Sequence, residues 1–93
     1  MIRPKAVDVV PQPDYHLLVT FNNNEKRLFD VKPYFDFKPF QELENEALFN
    51  TVKPAGLSVE WIHGQDICPD DLYYNSVPLE SQQADTMNNS VLP

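Results

Sequence analysis

The residues best equipped for chemistry crowd into one block, Trp61-Ile62-His63-Gly64-Gln65-Asp66-Ile67-Cys68-Pro69-Asp70-Asp71-Leu72-Tyr73. Cys68 could serve as a nucleophile with His63 or His16 as its base, provided an imidazole lies within hydrogen-bond reach of the sulfur. His63-x-x-Asp66-x-Cys68 could also offer ligands to a metal. Transition-metal sites need three or four ligands, and the whole chain holds one Cys and two His. Each residue has a structural alternative. Asp66 suits a turn. Asp70 and Asp71 are adjacent, so they cannot face each other across a cleft. Following Pro69 they fall in the first turn of a helix, where unpaired N–H groups and the dipole favour carboxylates. Cys68 reads as a small, half-buried residue at the cap of that helix. Two glycines, Gly56 and Gly64, are too few for a phosphate-cradling loop. No catalytic, metal or cofactor residue is assigned, and the expectation is a non-enzymatic protein without a cofactor.

The block must be positioned by the elements around it. Lys5 to Val10 predicts a first strand ended by Pro11-Gln12-Pro13. Tyr15, Leu17, Val19 and Phe21 alternate with His16, Leu18 and Thr20, the period of a strand with one face inward. Asn22-Asn23-Asn24 supplies turn residues, and Lys26 to Val31 returns with Arg27, Phe29 and Val31 on one face, completing a hairpin. Lys32 to Phe40 mixes two prolines with aromatics and predicts a folded loop over a sheet edge. Gln41 to Val52 places Leu43, Ala47, Leu48 and Val52 on one helical face, with Asn45 as a cap if the helix starts late. Pro54-Ala55-Gly56 should end it. Leu57, Val59 and Trp61 alternate as a later strand, and Pro69 opens a short helix to about Tyr74. The fold class is therefore α+β: a small antiparallel sheet of 3–5 strands packed by one main helix and a short C-terminal helix. Residues 1–79 form the expected domain, and 80–93 an aperiodic polar tail.

Ninety-three residues suit one domain, and six Phe, four Tyr and one Trp give a short chain large rings to bury. One cysteine forbids an internal disulfide, which fits a reducing interior. Neither a leader-like apolar region nor a membrane-spanning run is expected, so the predicted location is cytoplasmic. Charge is lopsided: residues 1–40 carry a net +1 and residues 41–93 a net −8. Such a surface repels phosphate backbones, which argues against direct nucleic-acid binding. It would suit a basic protein partner, though plain solubility is the simpler and preferred reading of the same charge.

The chain resembles a small bacterial family catalogued as domain of unknown function 2442. The resemblance rests on Val7 and Val9, Tyr15-His16-Leu17-Leu18-Val19-Thr20-Phe21, Arg27-Leu28-Phe29-Asp30-Val31 and Leu48-Phe49. It closes with Val59-x-Trp61-x-x-Gly64-x-Asp66-Ile67-x-Pro69-Asp70-x-Leu72-Tyr73. Where members commonly carry Gly in the hairpin turn this chain has Asn22-Asn23-Asn24, and Cys68 stands at a position often held by Ala or Ser. The resemblance implies a small α+β domain and carries over no catalytic motif. Some relatives continue into a helix-turn-helix, which is not expected here because the 80–93 segment reads as a short polar tail. Others are encoded beside a second small family, numbered 4160, which implies a two-protein, toxin–antitoxin-like module.

The leading expectation is a protein-interaction domain whose partner is a small basic protein encoded nearby. Its contact residues are expected to be Trp61, Asp70, Asp71 and Tyr74, joined by Phe35 and Phe37 from the proline-rich segment. Trp61 on an alternating strand is more often a core residue than an interface anchor. Two alternatives are a thiol or hydrolase enzyme using Cys68 and His63, and nucleic-acid association through Arg3, Lys5, Lys26, Arg27, Lys32 and Lys38. Sequence leaves the oligomeric state open.

Overall fold

Alternation along the hairpin translates directly into a sheet with one dry face. In a computed structural model, which describes residues 4–79, strands β1 (Ala6–Gln12), β2 (His16–Phe21) and β3 (Lys26–Asp30) pair antiparallel in chain order. A two-residue strand, Val77–Pro78, adds to the far side of β3. The sheet order thus runs β1, β2, β3 and that last strand. The inward residues Leu17, Val19, Phe21, Phe29 and Val31 are all fully buried. Asn24 turns the hairpin with φ of 73°, a conformation that asparagine tolerates.

Two features of β1 depart from its simple pattern. A bulge between Ala6 and Asp8 shifts the register against β2, so Val7 is an extra residue on the edge strand. The strand also continues through Pro11, opposite Leu17, to Gln12, opposite His16. Pro11 was expected to end the ladder; on an edge strand its missing N–H costs nothing when that side has no partner.

The remaining chain covers the inward face. The proline-rich segment forms a 3-10 turn over Lys32–Asp36 and helix α1 (Lys38–Gln41). The single helix expected over 41–52 is instead broken. A 3-10 turn, Glu42–Glu44, leads to Asn45 in extended conformation, and only then does α2 (Glu46–Phe49) begin. The cause is local. The Asn45 side chain accepts hydrogen bonds from the N–H groups of Ala47 and Leu48, which starts a new helix and stops the old turn. The Tyr15 hydroxyl donates to the Glu44 carbonyl oxygen at the break.

The expected later strand exists but joins a second, two-stranded sheet. Strand β4 (Lys53–Ala55) and strand β5 (Ser58–Glu60) form a hairpin about Gly56, whose φ is 58°. Helix α3 (Pro69–Tyr74) follows, with Pro69 in its first turn as expected, and Val77–Pro78 is β6. Trp61, Ile67 and Leu72 from this half join Leu43, Phe49 and Val59 against the sheet in one core. Arg27 fastens the end of the fold: its guanidinium donates to Ser76 Oγ (2.7 Å) and the Ser76 carbonyl oxygen (2.9 Å), and it lies 4.5 Å over the Tyr73 ring. The α+β class is the one observed, with several short helices in place of one main helix. The expected polar tail, 80–93, lies outside the described residues.

Candidate functional site

The stretch between β5 and α3 is a tight loop closed by its own backbone. Gly64 N–H donates to the Trp61 carbonyl oxygen and Trp61 N–H to that of Gln65, both at 2.9 Å. Gly64 has φ of 94°, a region closed to most side chains, so the loop requires glycine there. Glu60 and Asp66 pair as an isolated bridge across its neck.

Trp61 is core. It is 1% exposed, its indole N–H donates to the Phe49 carbonyl oxygen at 2.9 Å, and its ring packs against Phe40 and Phe49. It therefore offers a partner no area, which removes it from the expected contact residues. The reason is the register of the strand it follows: Val59 and Trp61 both point inward.

The other expected contact residues separate into two places. Phe35 packs edge-on against Tyr15 on the side of α2, with Phe49 completing that group. Phe37 lies in a different chain of contacts: it stacks on Tyr34, and the Tyr34 hydroxyl donates to Asp71 Oδ2 at 3.2 Å. Tyr34 also touches Phe29 and Phe40, so one ring joins core to surface. Burial, reinforced by the Asp71 carboxylate, pushes the Tyr34 hydroxyl up to about 12. Tyr74 lies one turn beyond Asp70 and Asp71 and rests edge-on against Tyr73. Phe37 is 60% and Tyr74 62% exposed. Asp70, one turn before Tyr74 on α3, is exposed as well.

The candidate chemical residues are positioned otherwise. Cys68 is exposed at the N-cap of α3 and makes no side-chain cap bond, so the half-buried cap expected from sequence is replaced by an open thiol. His63 Nδ1 meets Glu42 Oε2 at 2.6 Å, and Gln65 Nε2 donates to the same oxygen (2.5 Å) and to the Pro39 carbonyl oxygen (2.9 Å). The His63 and Gln65 bonds hold the Glu42 carboxyl below its usual range. These residues and Lys38 line an open groove of about 380 Å³. Nothing in the local sequence flags this contact, because Glu42 and His63 are 21 positions apart. Among the described residues no group of three or more His, Cys, Asp or Glu is arranged to hold a metal.

The expected basic residues face different ways. Lys26 and Arg27 project to opposite sides of β3, and Arg27 is taken up by Ser76 and Tyr73. Lys32 Nζ is held by Asp14 (2.9 Å) and Asp30 (3.2 Å). Arg3 lies outside the described residues. Among the described residues no helix is long and apolar enough to cross a membrane.

No curated protein and no solved structure matches the chain. A family model does, over residues 6–78, a span that runs from the first residue of β1 to the last of β6. The matched region is thus the whole four-stranded sheet with everything packed on it, and the chain belongs to the family described as protein of unknown function (DUF2442).

Proposed function

We propose that this chain is a cytoplasmic, non-enzymatic protein-interaction domain that binds a small basic protein encoded beside it, as one half of a toxin–antitoxin-like pair. The observation that supports this reading best is the surface around α3. Two large rings are exposed: Phe37 packs on Tyr34, whose hydroxyl reaches Asp71, and Tyr74 lies on α3 one turn beyond Asp71 and the exposed Asp70. Exposed aromatics beside charge are the composition of interface anchors, and rings already packed on Tyr34 and Tyr73 lose little side-chain freedom on binding. The net −8 of residues 41–93 favours the approach of a basic protein, and Asp70 and Asp71 on α3 would attract it to this side.

Co-expression with the product of the adjacent gene tests the proposal. The expected result is one complex on a sizing column, which Phe37→Ala with Tyr74→Ala splits into its components. Raising the salt should slow association, since the steering is electrostatic. Independent elution of the two wild-type proteins overturns the reading.

A further inference from the structure

The side of the sheet turned away from the core carries a pattern that solubility does not explain. Val10 lies opposite Leu18, Leu18 opposite Leu28, and Leu28 opposite Val77. One apolar residue from every strand thus forms a continuous stripe across the sheet, at right angles to the strands. Directly opposed residues share a face, so the four side chains project together. Leu18 and Leu28 are only half-buried, and Val10 and Val77 are 43% and 46% exposed. Neither leucine is among the residues packed against the core. A solvated sheet face should alternate to polar residues here, as the rows on either side do.

Those rows are charged in a complementary way. Asp8, Thr20 and Lys26 are aligned on one side of the stripe, and Gln12, His16 and Asp30 on the other. We propose that this face is the contact surface for a second copy of the chain, two sheets packing face to face about a two-fold axis that runs along the stripe. That axis lays each stripe on the other and exchanges the flanking rows. Lys26 of each copy then comes over Asp30 of its mate, and Asp8 over Gln12. Asp30 keeps one carboxylate oxygen on Lys32 at 3.2 Å, and its other lies 4.0 Å from His16. The choice of occupant follows from charge. The chain as a whole is −7 and two copies repel in most orientations. This face sets Lys26 of each copy over Asp30 of its mate, so two opposite-charge pairs offset the repulsion where copies meet here. A basic partner finds its attraction elsewhere, on the acidic α3 side, which belongs to the other layer.

Three strands at about 4.8 Å spacing with three outward residues each, and Val77 beyond them, give a face of about 300 Å² per copy. An interface of that size is small, so the dimer is reversible and concentration-dependent. Sedimentation velocity of the full chain over a hundredfold range of concentration is the experiment. The expected result is a monomer–dimer equilibrium, with Leu28→Asp and, separately, Val10→Lys each raising the dissociation constant at least tenfold. Lys26→Asp should weaken the dimer at low salt and recover much of it at high salt. Fluorescence of Trp61, which is buried in the other layer, reports whether each variant is folded. A wild-type chain that stays monomeric throughout, or a dimer indifferent to all three substitutions, overturns the proposal. So does a monomer whose complex with the co-expressed partner is broken by Leu28→Asp, which would give this face to that partner.

Discussion

Trp61 and Tyr74 bracket the segment richest in chemical side chains, and the fold treats their rings in opposite ways. Trp61 is enclosed by Phe40 and Phe49 with its N–H bonded to the Phe49 carbonyl oxygen, whereas Tyr74 keeps one contact on Tyr73 and leaves the rest in solvent. Backbone geometry sorts them. Trp61 follows β5 at an inward register, while Tyr74 ends a six-residue helix whose inward place is taken by Leu72. One segment therefore contributes to the core with Trp61, Ile67 and Leu72 and to the surface with Asp70 and Tyr74. On the proposed reading, stability and recognition fall to different residues and should be separable by mutation.

The strongest test of that separation is Trp61→Ala. It empties the largest buried side chain and leaves the Phe49 carbonyl oxygen without its donor, at an expected cost of about 3–5 kcal/mol. Against a total of about 5–15 kcal/mol for a typical domain, that leaves little, and the midpoint of urea denaturation should fall accordingly. If the midpoint barely moves, the core assignment of Trp61 is wrong.

Tyr34 sits between the two regions, touching Phe29 and Phe40 inside and Asp71 and Phe37 outside. Tyr34→Phe removes its bond to Asp71, an expected loss of about 0.5–1.5 kcal/mol at neutral pH. The wild-type hydroxyl has a reference value of 10.0 and is raised to about 12 in the fold, first by burial and then by Asp71. A raised value means its stabilisation is complete below pH 10 and declines as the pH climbs toward about 12, because the unfolded chain ionises first. The stability gap between wild type and Tyr34→Phe should therefore narrow across that window. Denaturation at several alkaline pH values would show it, and a constant gap would contradict the buried geometry of the hydroxyl.

Tyr74→Ala is the complement, with the smallest effect on stability. Its exposed ring should contribute within about 0.5 kcal/mol to folding. The same substitution should visibly weaken the proposed complex with a basic partner, measured by titration calorimetry. A large loss of stability would make Tyr74 a second core ring and dissolve the contrast with Trp61.

The sequence made the hairpin legible because Tyr15 to Phe21 and Lys26 to Val31 repeat with a period of two, and Asn24 tolerates the positive φ that the turn demands. Helix α3 was legible from Pro69, whose fixed φ and missing N–H suit a first turn. What failed was anything set by long-range or competing bonds. Gln41 to Val52 has a helical apolar pattern, yet the Asn45 side chain captures two N–H groups and divides it. Strand β6 is two residues long and has no periodicity to read. Among the candidate contact residues, Asp70 was legible from its place in the first turn of α3, whereas Tyr74 ends that helix and Phe37 belongs to the proline-rich segment. The burial of Trp61 follows from its register, and the meeting of Glu42 with His63 requires the complete fold.

Arg27 imposes an order on how the sheet is assembled. Its bonds to Ser76 close a separation of 49 residues, whereas β1, β2 and β3 pair with neighbours along the chain. The entropy of closing a long loop makes the neighbouring pairs form first, so β6 docks late and detaches early in local opening. Amide hydrogens in β2 should exchange slowest and those at the β3–β6 pairing fastest within the sheet. Because Val77 supplies one end of the apolar stripe, that outer surface is complete only after the last strand has closed.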